Sequence, residues 1–76
     1  MGVPKITNGR AIAAIRSLRG ITQGQLAATL GRSKSWVAAV ETGRIQCSER
    51  TLEEVAKALY TETDAIRLTP VTPVAS

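Results

Sequence analysis

Seventy-six residues with 43% hydrophobic content, no Phe, one Trp and one Tyr describe a single small domain, whose core must be built from Ala, Ile, Leu and Val. No apolar run approaches the roughly 18 residues of a membrane span, no signal-peptide pattern follows the basic N-terminus, and Met1-Gly2 lacks the Ser or Thr at position 6 that N-myristoylation requires. One Cys, one Asp and no His leave no disulfide, metal site or catalytic constellation, so a cytoplasmic non-enzyme without cofactor, membrane contact or small-molecule ligand is expected.

Residues 1–7 read as an N-terminal arm. Asn8 or Thr7 can cap a first helix in which Ile12, Ile15 and Leu18 recur at three-residue spacing, with Gly20 as its stop. Thr22 followed by Gln25 fits a capping box, after which Leu26, Ala27 and Leu30 form a short apolar stripe ended by Gly31. Ser33 caps a third helix with Val37 and Val40 inward, ending at Gly43. Ser48 caps a fourth, where Leu52, Val55, Ala56 and Leu59 fall at i, i+3, i+4 and i+7. A short fifth helix is expected around Thr63–Arg67, and residues 68–76, with two prolines and no periodicity, read as a tail. The fold expected is all-α, a domain over residues 8–67 with four to five short helices.

Charge divides the chain. Residues 1–48 carry seven basic side chains (Lys5, Arg10, Arg16, Arg19, Arg32, Lys34, Arg44) against the single acid Glu41; residues 49–76 carry three against five. A basic front half beside a mildly acidic back half suggests one face meant for a polyanion. The acids Glu49, Glu53 and Glu54 read as a solvated helix face complementing the helix dipole, and Cys47 as an inert thiol.

The second and third helices are joined by about three residues that contain Gly31, the linkage a helix-turn-helix requires. Ala27 is small where the two helices should cross most closely. An ordinary helical hairpin has the same outline, so this spacing alone leaves both open. The stretch Ile21-Thr22-Gln23-Gly24-Gln25-Leu26-Ala27, followed by Gly31-Arg32-Ser33, Val37 and Val40-Glu41-Thr42-Gly43-Arg44, resembles the Cro/CI-type (lambda-repressor-like) helix-turn-helix family of phage repressors and bacterial regulators. The resemblance runs over roughly residues 9–67.

That resemblance implies roles for particular residues. Gln23 would clamp the DNA backbone and brace the recognition helix; Lys34, Ser35 and Ala39, with Ala38 beside them, would face base edges; Arg44 and Arg50 would approach phosphates. Arg16 and Glu41 would form a partly buried ion pair between the first and third helices. The residues themselves agree with this placement. With Val37 and Val40 inward, positions 34, 35, 38 and 39 project from the opposite side of the segment 33–42. Thr22, Ser33 and the helix start offer backbone N–H groups to a phosphate, and Arg32 in the turn points toward solvent or toward a phosphate of the DNA backbone. Lys34 can donate to guanine O6 or N7, and the methyls of Ala38 and Ala39 can meet a thymine methyl. Trp36 borders the inward stripe and reads as a partial core residue packing toward the 43–48 loop, with base stacking as the alternative and its indole N–H within reach of a phosphate. Arg10 and Arg19 read equally well as phosphate contacts or solvated charges.

The function expected is a sequence-specific double-stranded-DNA-binding transcription regulator, a phage Cro-like repressor or a small bacterial controller. An antitoxin-like or other protein-interaction module with secondary DNA binding is the alternative. A homodimer, at least on DNA, would use Tyr60, Ile66, Leu68 and the tail valines.

Overall fold

Four α-helices and a short 3₁₀ turn follow one another in a computed structural model that describes residues 5–68: α1 (Gly9–Leu18), α2 (Gln23–Leu30), α3 (Lys34–Glu41), α4 (Glu49–Ala58) and the turn Thr63–Ile66. Each helix starts on a short polar side chain. Asn8, Thr22, Ser33 and Ser48 accept from the backbone N–H three residues on, which satisfies a donor that the first helical turn leaves orphaned. At α2 the Gln25 side chain answers by accepting from the Thr22 N–H at 2.8 Å, so the capping box is complete.

The helices also end alike. Gly20, Gly31, Gly43 and Tyr60 have φ of 69°, 67°, 82° and 55°. The residue after each donates back to a carbonyl five positions earlier: Ile21 to Arg16, Arg32 to Ala27, Arg44 to Ala39 and Thr61 to Ala56. This motif ties off otherwise unpaired helix carbonyls and needs a left-handed residue, which glycine supplies without strain. Tyr60 stands where the other three helices have glycine.

The core is aliphatic. Ile12 of α1, Leu26 and Ala27 of α2, Val37 and Val40 of α3, and Leu52, Val55 and Ala56 of α4 are buried together with Leu59, Cys47 and Ile66. Ile66 is completely buried because the 3₁₀ turn packs against α4 and α1, so it cannot serve the dimer surface to which the sequence assigned it. The segment expected as a fifth helix is a single 3₁₀ turn. Its last residue is followed by Arg67 in extended conformation, which pairs with Thr7 in an antiparallel bridge.

Two flanking hydrogen bonds, Asn8 N–H to Ile66 O at 2.9 Å and Leu68 N–H to Ile6 O at 2.7 Å, close the fold beside that bridge. Thr7, which the sequence placed in the arm, is buried. Its hydroxyl accepts from the Cys47 N–H at 2.8 Å, and its own N–H donates to Gln46 Oε1. Ile6, Thr7 and Leu68 are therefore fastened to residues 8–67. The remainder of the arm (1–4) and tail (69–76), including the tail valines, lies outside the described residues. Among the described residues no helix is long and apolar enough to cross a membrane.

One contact sets the spacing of α1 and α3. A Cβ on Gly9 would stand 2.4 Å from the Glu41 carbonyl oxygen and 2.5 Å from that of Val40, so only a hydrogen there lets α1 touch the carboxyl end of α3.

The loop joining α3 to α4 carries Cys47, and burial pushes its thiol above the ordinary 9.0. Native protein is expected to react with a thiol reagent only as fast as it opens, and denatured protein at once; rapid labelling at neutral pH would contradict this placement. Because the folded thiol holds its proton more tightly than the unfolded one, this contribution to stability is complete below about pH 9 and fades above it.

Candidate nucleic-acid interface

The helix-turn-helix geometry begins with Gly31. Its left-handed conformation reverses the chain within the turn between α2 and α3, and the buried Ala27 lets the two helices close on Leu26, Val37 and Val40. Val37 and Val40 are 1% and 2% exposed, so the other side of α3 faces outward. Lys34 and Ser35 are exposed there, whereas Ala38 and Ala39 are half-buried. This side is therefore low except at its amino end, where Lys34 is the one long polar side chain of the four.

The flanks are polar or basic. Thr22 and Ser33 are exposed, their oxygens accepting from Gln25 and Trp36 N–H. Arg32 is exposed with its guanidinium carbon 4.8 Å from the centre of the Trp36 ring, a distance at which a cation is held over an aromatic face. Trp36 is half-buried against the core, so the Arg32–Trp36 stack covers one shoulder of α3. Arg44, after the end of α3, and Arg50, in the first turn of α4, are also exposed. Lys34 opens onto a cleft of about 490 Å³ whose other walls are Arg16, Ser17, Gly20, Ile21 and the amino end of α2 at Thr22, Gln23 and Gly24. Gly24 lines that cleft without a side chain, a contribution that nothing in the sequence signals.

Beneath this surface the one acid of the basic half is turned inward. Glu41 accepts from Arg16 Nε at 2.6 Å, Arg16 Nη2 at 3.2 Å and Gln23 Nε2 at 2.9 Å. Arg16 Nη1 donates to the Ile21 carbonyl at 2.9 Å. The carboxylate holds the Arg16 guanidinium pKa above its ordinary value through that hydrogen bond, against the opposing effect of burial. One hub therefore joins α1, the amino end of α2 and the carboxyl end of α3. One N–H of the Gln23 amide goes to Glu41, which makes this residue a brace of α3, and the second N–H of that amide is left for another acceptor.

Arg19 is exposed, and the structure gives it a contact that the sequence did not signal. It donates to the Leu59 and Tyr60 carbonyls, each at 3.1 Å, and so fastens the end of α1 to the end of α4. Arg10 is exposed. At the far end of α4, Glu49 pairs with Arg67, which also reaches Asp64. The guanidinium holds the Glu49 carboxyl below its ordinary 4.5. Among the described residues no cluster of His, Cys, Asp and Glu could hold a metal ion.

Comparison with known proteins agrees with this geometry. Residues 9–68 match a helix-turn-helix domain family. The chain is 44% identical over 61 residues to the immunity repressor protein of Bacillus phage phi105, a match covering 80% of this chain and 42% of that repressor, so the chain spans less than half the length of its relative. Among solved structures, the restriction-modification controller protein C.AhdI from Aeromonas hydrophila superposes with a TM-score of 0.70 at 30% identity, over 75% of this chain and 83% of that one. The P22 c2 repressor, solved in complex with a synthetic operator, also gives 0.70 at 26% identity, over 76% and 88%.

Proposed function

The chain belongs to the helix-turn-helix domain family, and on that premise we propose that it is a sequence-specific double-stranded-DNA-binding transcription regulator of phage-repressor or small-controller type. Residues 33–42 enter the major groove, where Lys34, Ser35, Ala38 and Ala39 meet base edges. Thr22, Gln23, Arg32, Ser33, Trp36, Arg44 and Arg50 line the sugar-phosphate backbones on either side. The protein works by binding rather than by catalysis, and two copies occupy two half-sites.

The observation that carries this reading is the burial of Glu41. With that carboxylate neutralised by Arg16 inside the domain, every other charged side chain from Lys5 to Arg44 is basic. A polyanion approaching α3 thus meets no opposing charge from this half of the chain. The phi105 immunity repressor and the operator-bound P22 c2 repressor support the same reading.

Two substitutions separate base reading from backbone binding. Lys34→Ala is expected to weaken binding to the preferred duplex about tenfold while leaving non-specific binding nearly unchanged, since a base contact is worth about 1–3 kcal/mol. A uniform loss on every duplex would make Lys34 a phosphate contact. Arg44→Ala is expected to weaken all duplexes alike and to flatten the salt dependence by roughly one unit of slope. An unchanged slope would remove Arg44 from the interface.

The overall test is selection from a random duplex pool at near-physiological salt. Recovery of a motif with inverted half-sites supports a dimeric regulator. Absence of any enrichment would overturn the proposal and direct attention to a protein partner.

A further inference from the structure

The cations of this domain fall into two kinds, with one exception. Arg16, Arg19 and Arg67 spend their guanidinium groups on their own chain. The other lysine and arginine side chains make no hydrogen bond or ion pair among the described residues. Arg32 shares that freedom, yet it is held in place at both ends. Its backbone N–H donates to the Ala27 carbonyl at 2.9 Å, and its guanidinium lies over the Trp36 ring, 4.8 Å from the centre.

A guanidinium stacked on an indole gives up only its flat face. Its N–H donors lie around the rim of the same plane and stay open, and a phosphate can take two of them in parallel. A long side chain ordinarily loses rotamer freedom when it binds, and a stack formed beforehand removes much of that loss. Trp36 is a firm platform for this purpose. It is half-buried against the core, and its backbone N–H donates to Ser33 Oγ at 3.1 Å in the first turn of α3. The ring is thus fixed to α3, and Arg32 is carried with it. The indole itself offers one neutral N–H, which cannot replace a counterion on DNA.

We propose that Trp36 is a positioning residue for the DNA backbone. It acts through Arg32, whose stacked guanidinium grips a phosphate beside the amino end of α3, and makes no phosphate contact of its own. The proposal deepens, and rests on, the DNA-binding reading above.

The test is a double-substitution cycle on a short duplex of mixed sequence, read as affinity and as the slope of affinity against salt. Arg32→Ala is expected to weaken binding about tenfold and to flatten the slope by roughly one unit. Trp36→Leu is expected to weaken it about fivefold, the scale of ordering one long side chain. It should flatten the slope too, which loss of a neutral indole contact cannot do. In the Arg32→Ala background Trp36→Leu should cost nothing further. Trp36→Phe, which keeps an aromatic face, should hold affinity within about twofold of the parent. Thermal melts give the folded fraction of each variant. Trp36 is the only tryptophan, so its emission in the free protein should shift on Arg32→Ala.

Losses that add in the double variant would overturn the proposal, because Trp36 would then touch DNA itself or merely support α3. So would an unchanged slope in Trp36→Leu, a Trp36→Phe protein as weak as Trp36→Leu, or an emission indifferent to Arg32. A parent chain that binds no duplex would sink the regulator reading and this proposal with it, whereas additive losses on a bound duplex sink the proposal alone.

Discussion

Gly9→Ala is expected to destabilise the domain by about 3 kcal/mol, near the upper end of the usual cost of overpacking. In a domain of this size that is a drop of roughly 12–24 °C in melting temperature. The sign runs against helix propensity, since glycine to alanine inside a helix ordinarily gains up to about 1 kcal/mol. Here the added methyl would overlap two backbone carbonyl oxygens at the carboxyl end of α3, and backbone cannot swing aside as a side-chain tip can. α1 and α3 must therefore separate. Gly24→Ala is the control: its added Cβ would meet only Thr22 Oγ1, at 3.9 Å, so it should gain about 0.5–1 kcal/mol. Thermal melts of both variants check the contact; equal and small effects would mean that α1 and α3 are not packed this closely.

Glu41→Ala is expected to cost about 3 kcal/mol, toward the lower end for breaking a buried pair because Arg16 keeps some access to water. The side chains of Arg16 and Glu41 are 16% and 7% exposed, so the alanine leaves a guanidinium largely shielded from solvent with only the Ile21 carbonyl for company. Gln23 loses its acceptor as well. Replacing the pair together, as Arg16→Met with Glu41→Leu, should recover most of the loss, because no charge is then stranded. Base preference, assayed on the folded fraction, should stay as in the parent. A stable Glu41→Ala protein with altered base preference would move Glu41 from the scaffold to the DNA-reading surface.

Much of this architecture is legible in the sequence because local rules and the global fold agree. Asn8, Thr22, Ser33 and Ser48 are recognisable as caps, and the stripes of Ile12, Val37, Val40, Leu52 and Val55 mark the inward faces. Gly31 marks the reversal. Pairing of Arg16 with Glu41 was readable only through family resemblance, since 25 residues separate them. Other long-range contacts were not legible. Gly9 looks like any helix-start glycine until α3 is seen against it. Arg19 looks like a surface charge until the Leu59 and Tyr60 carbonyls are beside it. Ile66 looks like an exposed apolar residue until the chain folds back over α4. Tyr60 carries no sequence signal that the backbone there is left-handed.

The bridge between Thr7 and Arg67 has a consequence for how the domain can be joined to other chains. The polypeptide enters at Ile6 and leaves at Leu68 hydrogen-bonded to each other, so the intervening residues form a closed module hanging from a single doorway. Such a module can be spliced into a surface loop of a host protein without prying either partner apart, and a short linker across the doorway would permit circular permutation with new ends in an exposed turn.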